Sequence, residues 1–436
     1  MLEETETPFL IFVIFVIAVA QESPRPSWRS GARPTHYTLS PMTRHMLTLL
    51  ACFTLGALGA LTPAAAQDLT ITNARIIGPN AAVIERGSIV VRGGKIVSVT
   101  AGTPSATSGK TIDAKGMSAM PGFIDAHRHF NTGPMEKGQM QAQLEAGYTT
   151  LLSAGGPADG NITLRDRIES GQINGPRIIP SGALRLNQHT PESARAEIRK
   201  MAAMGVTFTG EIALTPVPGP TAQEIEVLKA VVDEGKKAGV LIQVHAVSTP
   251  AMMAAVDAGV PLLVHLPNKD FTSVEDAKKL AASGTKILAT IGFGAPVFGV
   301  FADDNKPRFR DGKDWPQSIV GGVRLGEEAG YMPVNARTVF DAGAMLGYCT
   351  DTTYDPKAGL EHELKSFNLM FSMKDMIKIM GPNTASYIQM GDQLGTLEAG
   401  KLADIVLLDG DPLEGYWNWP KTKVVVKGGK VVVDKR

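Results

Sequence analysis

From residue 68 onward the apolar positions follow two rhythms. At both ends of this stretch they alternate with polar ones over short runs. Examples are Leu69-Thr70-Ile71-Thr72, the run Ser88-Ile89-Val90-Val91-Arg92-Gly93-Gly94-Lys95-Ile96-Val97-Ser98-Val99, and Val424-Val425-Val426-Lys427-Gly428-Gly429-Lys430-Val431-Val432-Val433. Alternation of period two presents one face of a strand to a core, and a central Gly-Gly allows the tight turn of a hairpin. The matching hairpins predict one small β-sandwich domain assembled from both chain ends, residues 67–121 and 391–436.

The middle of the chain, residues 122–390, reads differently. Short apolar runs at 123–129, 149–153, 177–181, 206–212, 240–245, 261–266, 286–290 and 345–350 predict strands. Amphipathic stretches such as 221–238 and 249–258 predict helices between them, with Gly147, Gly205, Gly239 and Gly259 at helix ends. Eight strand–helix units over this length fit an α/β fold of the (β/α)8 TIM-barrel type. A doubly wound open sheet is the rival, but no G-x-G-x-x-G follows an early strand.

The first 66 residues have neither rhythm. An apolar run at 8–20 is too short to span a bilayer and follows an acidic start, and a Pro/Ser/Arg-rich stretch comes next. Met42-Thr43-Arg44-His45-Met46 then opens a second apolar run closed by Ala64-Ala65-Ala66. A basic start, an apolar middle and a small-residue end make a secretory signal. The expectation is an upstream extension at 1–41, a signal peptide at 42–66, and a periplasmic or secreted mature chain with no stable membrane anchor. That mature chain keeps one cysteine, Cys349, so no internal disulfide can form.

Composition narrows the function classes. Lys plus Arg equals Asp plus Glu at 43 each, so no global field draws the chain to nucleic acid. A small-molecule substrate is the expected partner, and a homo-oligomer is compatible with the size.

The candidate chemistry sits at predicted strand ends, where barrel enzymes place it. His127 and His129 lie two apart at the end of the first barrel strand, so they point the same way with Arg128 opposite. Two imidazoles converging from one strand make half of a divalent-metal site. His245 ends the fifth strand and His265 the sixth, Asp351 follows the eighth, and Glu211 lies near the end of the fourth.

At these residues the chain resembles the amidohydrolase superfamily, in its prolidase-like and imidazolonepropionase-related branch. The resemblance rests on Pro121-Gly122-Phe123-Ile124-Asp125-Ala126-His127-Arg128-His129, the two later histidines, Thr350-Asp351, and the tail Leu394-Gly395-Thr396-Leu397-Glu398-Ala399-Gly400-Lys401-Leu402-Ala403-Asp404-Ile405-Val406. It implies that His127, His129 and Asp351 hold one metal and His245 and His265 a second, two divalent ions with zinc as the choice for an imidazole-rich set. Binuclear members usually bridge the ions with a carboxylated lysine from the fourth strand. Here the expected position falls on Gly210, one residue before Glu211. A glutamate bridge offers the same two oxygens and charge, but the offset requires a bulge or a shifted strand end; a salt-bridged or solvent-facing glutamate is the alternative. Deaminase-like relatives carry a glutamate three residues after the fifth-strand histidine, where this chain has Ser248.

The resemblance also implies a mechanism. Metal-activated hydroxide attacks an amide carbonyl, with Asp351 relaying the proton to the leaving nitrogen. His189, after the third strand, is placed toward the substrate carbonyl or is a plain loop residue. For the carboxylate of an N-acyl amino acid or dipeptide the candidates are Arg324, Arg337, Tyr331 and Tyr354, with pairing on an outer helix as the alternative for the arginines. The long segment at 292–323 is a lid or a solvated excursion, Cys349 a packed thiol, and His362 a solvated helix residue. An amidohydrolase cleaving a small amide leads. A deaminase or cyclic amide or imide hydrolase on the same scaffold is second, and a non-enzymatic binding protein third.

Overall fold

A computed structural model of the chain describes residues 68–104, 107, 109–130, 132–292, 323–352 and 355–436, without the side chains of 323–329. The predicted leader, nearly all of the long segment at 292–323, the Arg324 side chain and Tyr354 lie outside these residues.

The first strands, β1 (Leu69–Ile77), β2 (Val83–Arg92), β3 (Lys95–Ala101), β4 (Lys110–Asp113) and β5 (Ser118–Pro121), belong to an eight-stranded sheet. The β2–β3 hairpin turns at Gly93-Gly94, both at positive φ, as the sequence pattern requires. The chain then runs through the barrel strands β6 (Phe123–Arg128), β7 (Tyr148–Ser153), β8 (Arg177–Ile179), β9 (Ser181–Gly182), β10 (Phe208–Ala213), β11 (Leu241–His245), β12 (Leu262–Val264), β13 (Lys286–Ala289) and β14 (Leu346–Tyr348). It returns to the first sheet with β15 (Ile405–Leu408), β16 (Thr422–Lys427) and β17 (Lys430–Asp434). There β15 pairs antiparallel with β5, giving the order β17-β16-β15-β5-β1-β2-β3 with β4 beside β1. Leu69, Ile71, Ile89, Val91, Ile112, Ile405, Leu407 and Val424 bury one core between them.

The barrel strands pair in parallel as β6-β7-β8 and as β9 through β14 in order. Only Pro180 separates β8 from β9; its ring has no N–H to donate to a ladder, so the two are one interrupted strand. The circuit therefore has eight strands. Its remaining seam, between β6 and β14, carries no ladder among the described residues and is bridged at its upper end by Asp351 N–H donating to His127 O at 3.0 Å. Ile124, Ala126, Leu152, Phe208, Leu262, Leu288 and Cys349 share one core with Tyr387 and fill the interior beneath the site.

The helices of the described residues are α1 (Glu136–Ala146), α2 (Ala158–Glu169), α3 (Pro191–Ala203), α4 (Ala222–Ala238), α5 (Thr249–Asp257), α6 (Val274–Ser283), α7 (Val323–Asp341), α8 (Pro356–Phe367), α9 (Met373–Lys378) and α10 (Thr384–Tyr387). The end signals read from sequence do their work here. A Thr221–Glu224 capping box starts α4, and left-handed Gly239 stops it. Among the described residues no helix is long and apolar enough to cross a membrane.

Candidate metal centre

The motif strand β6 is bulged where it matters. Asp125 pairs with Leu151 and Arg128 with Ser153, so three steps along β6 match two along β7. The extra residue lets Asp125 and Arg128, three apart, face each other at 3.8 Å. His127 and His129 turn to the other side, ring centroids 5.5 Å apart, while the Arg128 guanidinium reaches Gln143 of α1. The expectation that the two histidines converge and Arg128 points away describes this strand.

A second bulge sets Glu211. Phe208 of β10 pairs with Leu241 and Glu211 with Gln243, again three steps against two. The reason lies in Gly210, where a Cβ would meet Gly155 Cα at 2.7 Å and Ala154 O at 3.1 Å. No lysine fits there. Glu211 N–H donates to Ala154 O at 3.1 Å, and the carboxylate is delivered into the site.

Six side chains then converge. Glu211 Oε2 lies 2.7 Å from His245 Nδ1, 3.1 Å from His265 Nε2 and 3.7 Å from His127 Nε2. Asp351 Oδ1 lies 3.1 Å from His129 Nε2 and 3.5 Å from His127 Nε2, and its Oδ2 is 3.6 Å from His265 Nε2. Three overlapping sets bring their donor atoms within 4.8 Å of one another: His127, His129 and Glu211; His127, His265 and Asp351; Glu211, His245 and His265. Glu211 and Asp351 thus stand between the imidazoles. His265 and Asp351 hold this arrangement with left-handed backbones, φ 69° and 51°, a conformation uncommon for side-chain-bearing residues.

The electrostatics match an ion-binding set. Burial would raise the Glu211 carboxyl, but hydrogen bonds from His245 and His265 and the facing His127 outweigh it and hold it far below the ordinary carboxylate range. Burial also opposes ionisation of Asp351, and the facing imidazoles of His127 and His129 outweigh it in the same way. The bond to Asp351 raises the His129 pKa, whereas burial lowers that of His265. Most telling is His127. It is buried, and among the described residues neither ring nitrogen makes a hydrogen bond, Nε2 standing 3.5 Å from Asp351 Oδ1; an ion held at Nε2 would occupy that nitrogen. Imidazoles and carboxylates around an orphaned buried nitrogen are the donor set of a divalent transition ion.

The sequence model of the Amidohydrolase family matches residues 118–291 and 330–432, which include all six converging residues. The chain belongs to the amidohydrolase family. As a member it is a hydrolase. It is 21% identical over 413 residues to an imidazolonepropionase of Caldanaerobacter subterraneus subsp. tengcongensis, covering 80% of this chain and 91% of that one. Among solved structures it resembles a putative prolidase from Bifidobacterium longum, with TM-score 0.71, 23% identity and coverage of 85% and 97%. It also resembles a Xaa-Pro dipeptidase with methionine bound in its active site, with TM-score 0.69, 22% identity and coverage of 84% and 99%.

The remaining predicted residues fall elsewhere in this amidohydrolase. Arg337 takes the alternative given for it, pairing on an outer helix. It lies on the outer helix α7, where its guanidinium pairs with Asp341 at 2.7 Å, donates to Met370 O and covers the Phe340 and Phe371 rings. Tyr331, on the same helix, sets its ring against Phe271. His189 precedes α3, with Nδ1 3.2 Å from Ser193 Oγ. Ser248 caps α5, accepting from Ala251 N–H and donating to Pro216 O, so its role is structural. Cys349 is a packed thiol whose pKa burial pushes up. His362 is half-buried on α8 rather than solvated.

Sequence reasoning passed over the residues that hold the candidate ligands in place. Thr290 Oγ1 lies 2.8 Å from His265 Nδ1 and so orients that ring. Asn161 donates to Ser153 Oγ, Gly155 O and Ser181 O, pinning the loop on which Gly210 rests. Nothing local marks either residue. Asp125 stood inside the quoted motif, where a buried carboxylate two residues before a ligand is the available signal.

Proposed function

We propose that the chain is a metal-dependent amidohydrolase that cleaves an amide bond, peptide-like or in an N-acyl amino acid, in a small substrate. The observation that carries this reading is the convergence of four imidazoles and two ionised carboxylates around His127, whose buried ring nitrogens make no hydrogen bond among the described residues. His127, His129 and Asp351 would hold one divalent ion, and His245 and His265 a second, with Glu211 between them and zinc the favoured metal. Such ions supply Lewis acidity toward a carbonyl oxygen and lower the pKa of water to near neutrality.

The protein's own groups do the rest. Asp351, held ionised, accepts a proton from the attacking water at a carboxylate oxygen and returns it to the leaving nitrogen. Thr290 keeps the His265 ring turned into the site. The exposed edges of His129 and His245 leave one side open to substrate.

The test is a screen of metal-reconstituted protein against N-acyl amino acids, dipeptides, lactams and lactones, with metal content measured alongside. Turnover of a linear amide with about two ions bound supports the reading, and turnover of none of these classes by metal-loaded protein defeats it. Likeness to an imidazolonepropionase over 91% of its length favours a second reading, hydrolysis of a cyclic amide or imide, which preferential lactam cleavage would select. Ammonia release would point instead to deamination, for which Ser248 offers no acid–base group. Export is part of the proposal: the mature N-terminus should be Gln67, read by N-terminal sequencing of secreted protein.

A further inference from the structure

Among the described residues the barrel closes between its first and last strands without a backbone ladder, and beside the one backbone bond at its upper end a buried carboxylate spans that seam. Asp125 of β6 has no solvent exposure. Its Oδ1 accepts the Thr350 N–H at 3.1 Å and the His127 N–H at 3.3 Å, and its Oδ2 accepts the Thr350 hydroxyl at 2.5 Å. Arg128 balances the charge, with Nη1 3.8 Å from Asp125 Oδ2 and donating to Thr350 Oγ1 at 3.1 Å. Gln143, with its amide oxygen turned to face them, accepts from Arg128 Nε and Nη2 at 3.0 and 3.2 Å. Thr352 Oγ1 lies 3.2 Å from Thr350 Oγ1 and completes the knot.

The location gives the knot its consequence. Thr350 immediately precedes Asp351, and His127 follows Asp125 by two residues. One carboxylate therefore grips the backbone beside three of the converging side chains, one on β6, one just past its end and one beyond β14. Asp351 has left-handed backbone geometry, so the bonds to its neighbour Thr350 help fix where its side chain points. Where strands are laddered, register alone sets the distance between side chains. Here the distance from His127 and His129 to Asp351 is held by the one backbone bond from Asp351 N–H to His127 O and by the grip of Asp125 on Thr350.

We infer that Asp125 is a positioning residue that sets Asp351 against His127 and His129 through Thr350, so that metal affinity depends on a group that touches no metal. This rests on the metal-dependent reading above. Asp125→Asn keeps the shape but replaces one acceptor oxygen with a donor facing Thr350. Thr350→Val removes the hydroxyl at nearly constant volume, and Thr350→Ser restores it.

The experiment titrates metal-free protein with Co2+ and follows the visible absorption bands, which report both affinity and ligand geometry, alongside thermal melting of the metal-free forms. Asp125→Asn and Thr350→Val should each weaken binding of one ion by about 10- to 100-fold and alter its bands. Thr350→Ser should stay close to wild type. The double variant should lose little more than the worse single one, as expected for groups in one network. A purely structural role would lower the melting temperature of the metal-free chain and leave affinity and spectrum unchanged, which would overturn the inference. Equal losses in Thr350→Ser and Thr350→Val would overturn it as well. Should Asp125→Asn not fold, the Thr350 pair decides alone. Wild-type protein that binds no Co2+ would sink the metal-dependent reading along with this one. Normal wild-type binding with unaffected variants would sink this inference only.

Discussion

Glu211 shows how much one residue's position depends on its neighbour. It reaches the site because Gly210 lies against Gly155 and the strand bulges there. Gly210→Ala would press a methyl into Gly155 Cα at 2.7 Å with backbone on both sides, so we expect a loss of about 1–3 kcal/mol, measured by urea unfolding. Glu211→Gln keeps the volume and removes the charge between the imidazoles. Ion affinity should fall by at least about tenfold, with turnover falling alongside; unchanged stoichiometry and rate in that variant would remove Glu211 from the metal set. Arg337 teaches the reverse. An arginine late in a barrel can be read as a substrate clamp, but a guanidinium next to Asp341, one helical turn on, pairs locally first.

At the scale of elements, the loops after the strands decide how firmly the candidate ligands are held. The loop that follows His265 is fastened by Asn335, a fully buried residue of α7. Its Oδ1 accepts the Thr272 N–H at 2.8 Å, and its Nδ2 donates to Pro267 O and Asp270 O at 2.9 Å each. Asn335→Ala leaves those three backbone groups without partners, and we expect a loss of about 2–4 kcal/mol in denaturant unfolding. The sequence showed the strand before this loop and the histidine in it. It did not show Asn335, because the residue acts across some 65 positions of chain and carries no periodic signature.

At the scale of the molecule, the end-built sheet meets the barrel through buried charge. Arg177 donates to Asp404 Oδ2 at 2.9 Å and to Thr150 Oγ1 at 2.7 Å, while Lys427 of β16 donates to Gly175 O. Burial, with Arg177 nearby, pushes the Lys427 amine down to about 8 from an ordinary 10.5. Between those two values the unfolded chain binds more protons at this site than the folded one, so the contribution to stability rises with pH across that window. Below about 8 both states are charged and the burial cost is felt in full. The stability of wild type relative to Lys427→Met should therefore increase from pH 8 to pH 10, as measured by denaturant unfolding at each pH, and a flat difference would mean the amine titrates normally.

Much of the architecture could be read from the chain alone. Period-two alternation, the Gly-Gly hairpins and the apolar runs at 123–129, 240–245 and 261–266 are local, since pleat and helix pitch act over a few residues. His127, His129, His245, His265 and Asp351 were legible for the same reason: each stands at a strand end that the pattern reveals. What tertiary structure alone decided is where close contact between distant segments overrides local period. Gly155 against Gly210 created the bulge that admits Glu211, Asp341 and Met370 O engage Arg337 on its own helix's side, and Asp125 bonds across a seam that carries no ladder among the described residues. Each choice depends on which groups are within a few ångströms after folding, and sequence spacing carries no measure of that distance.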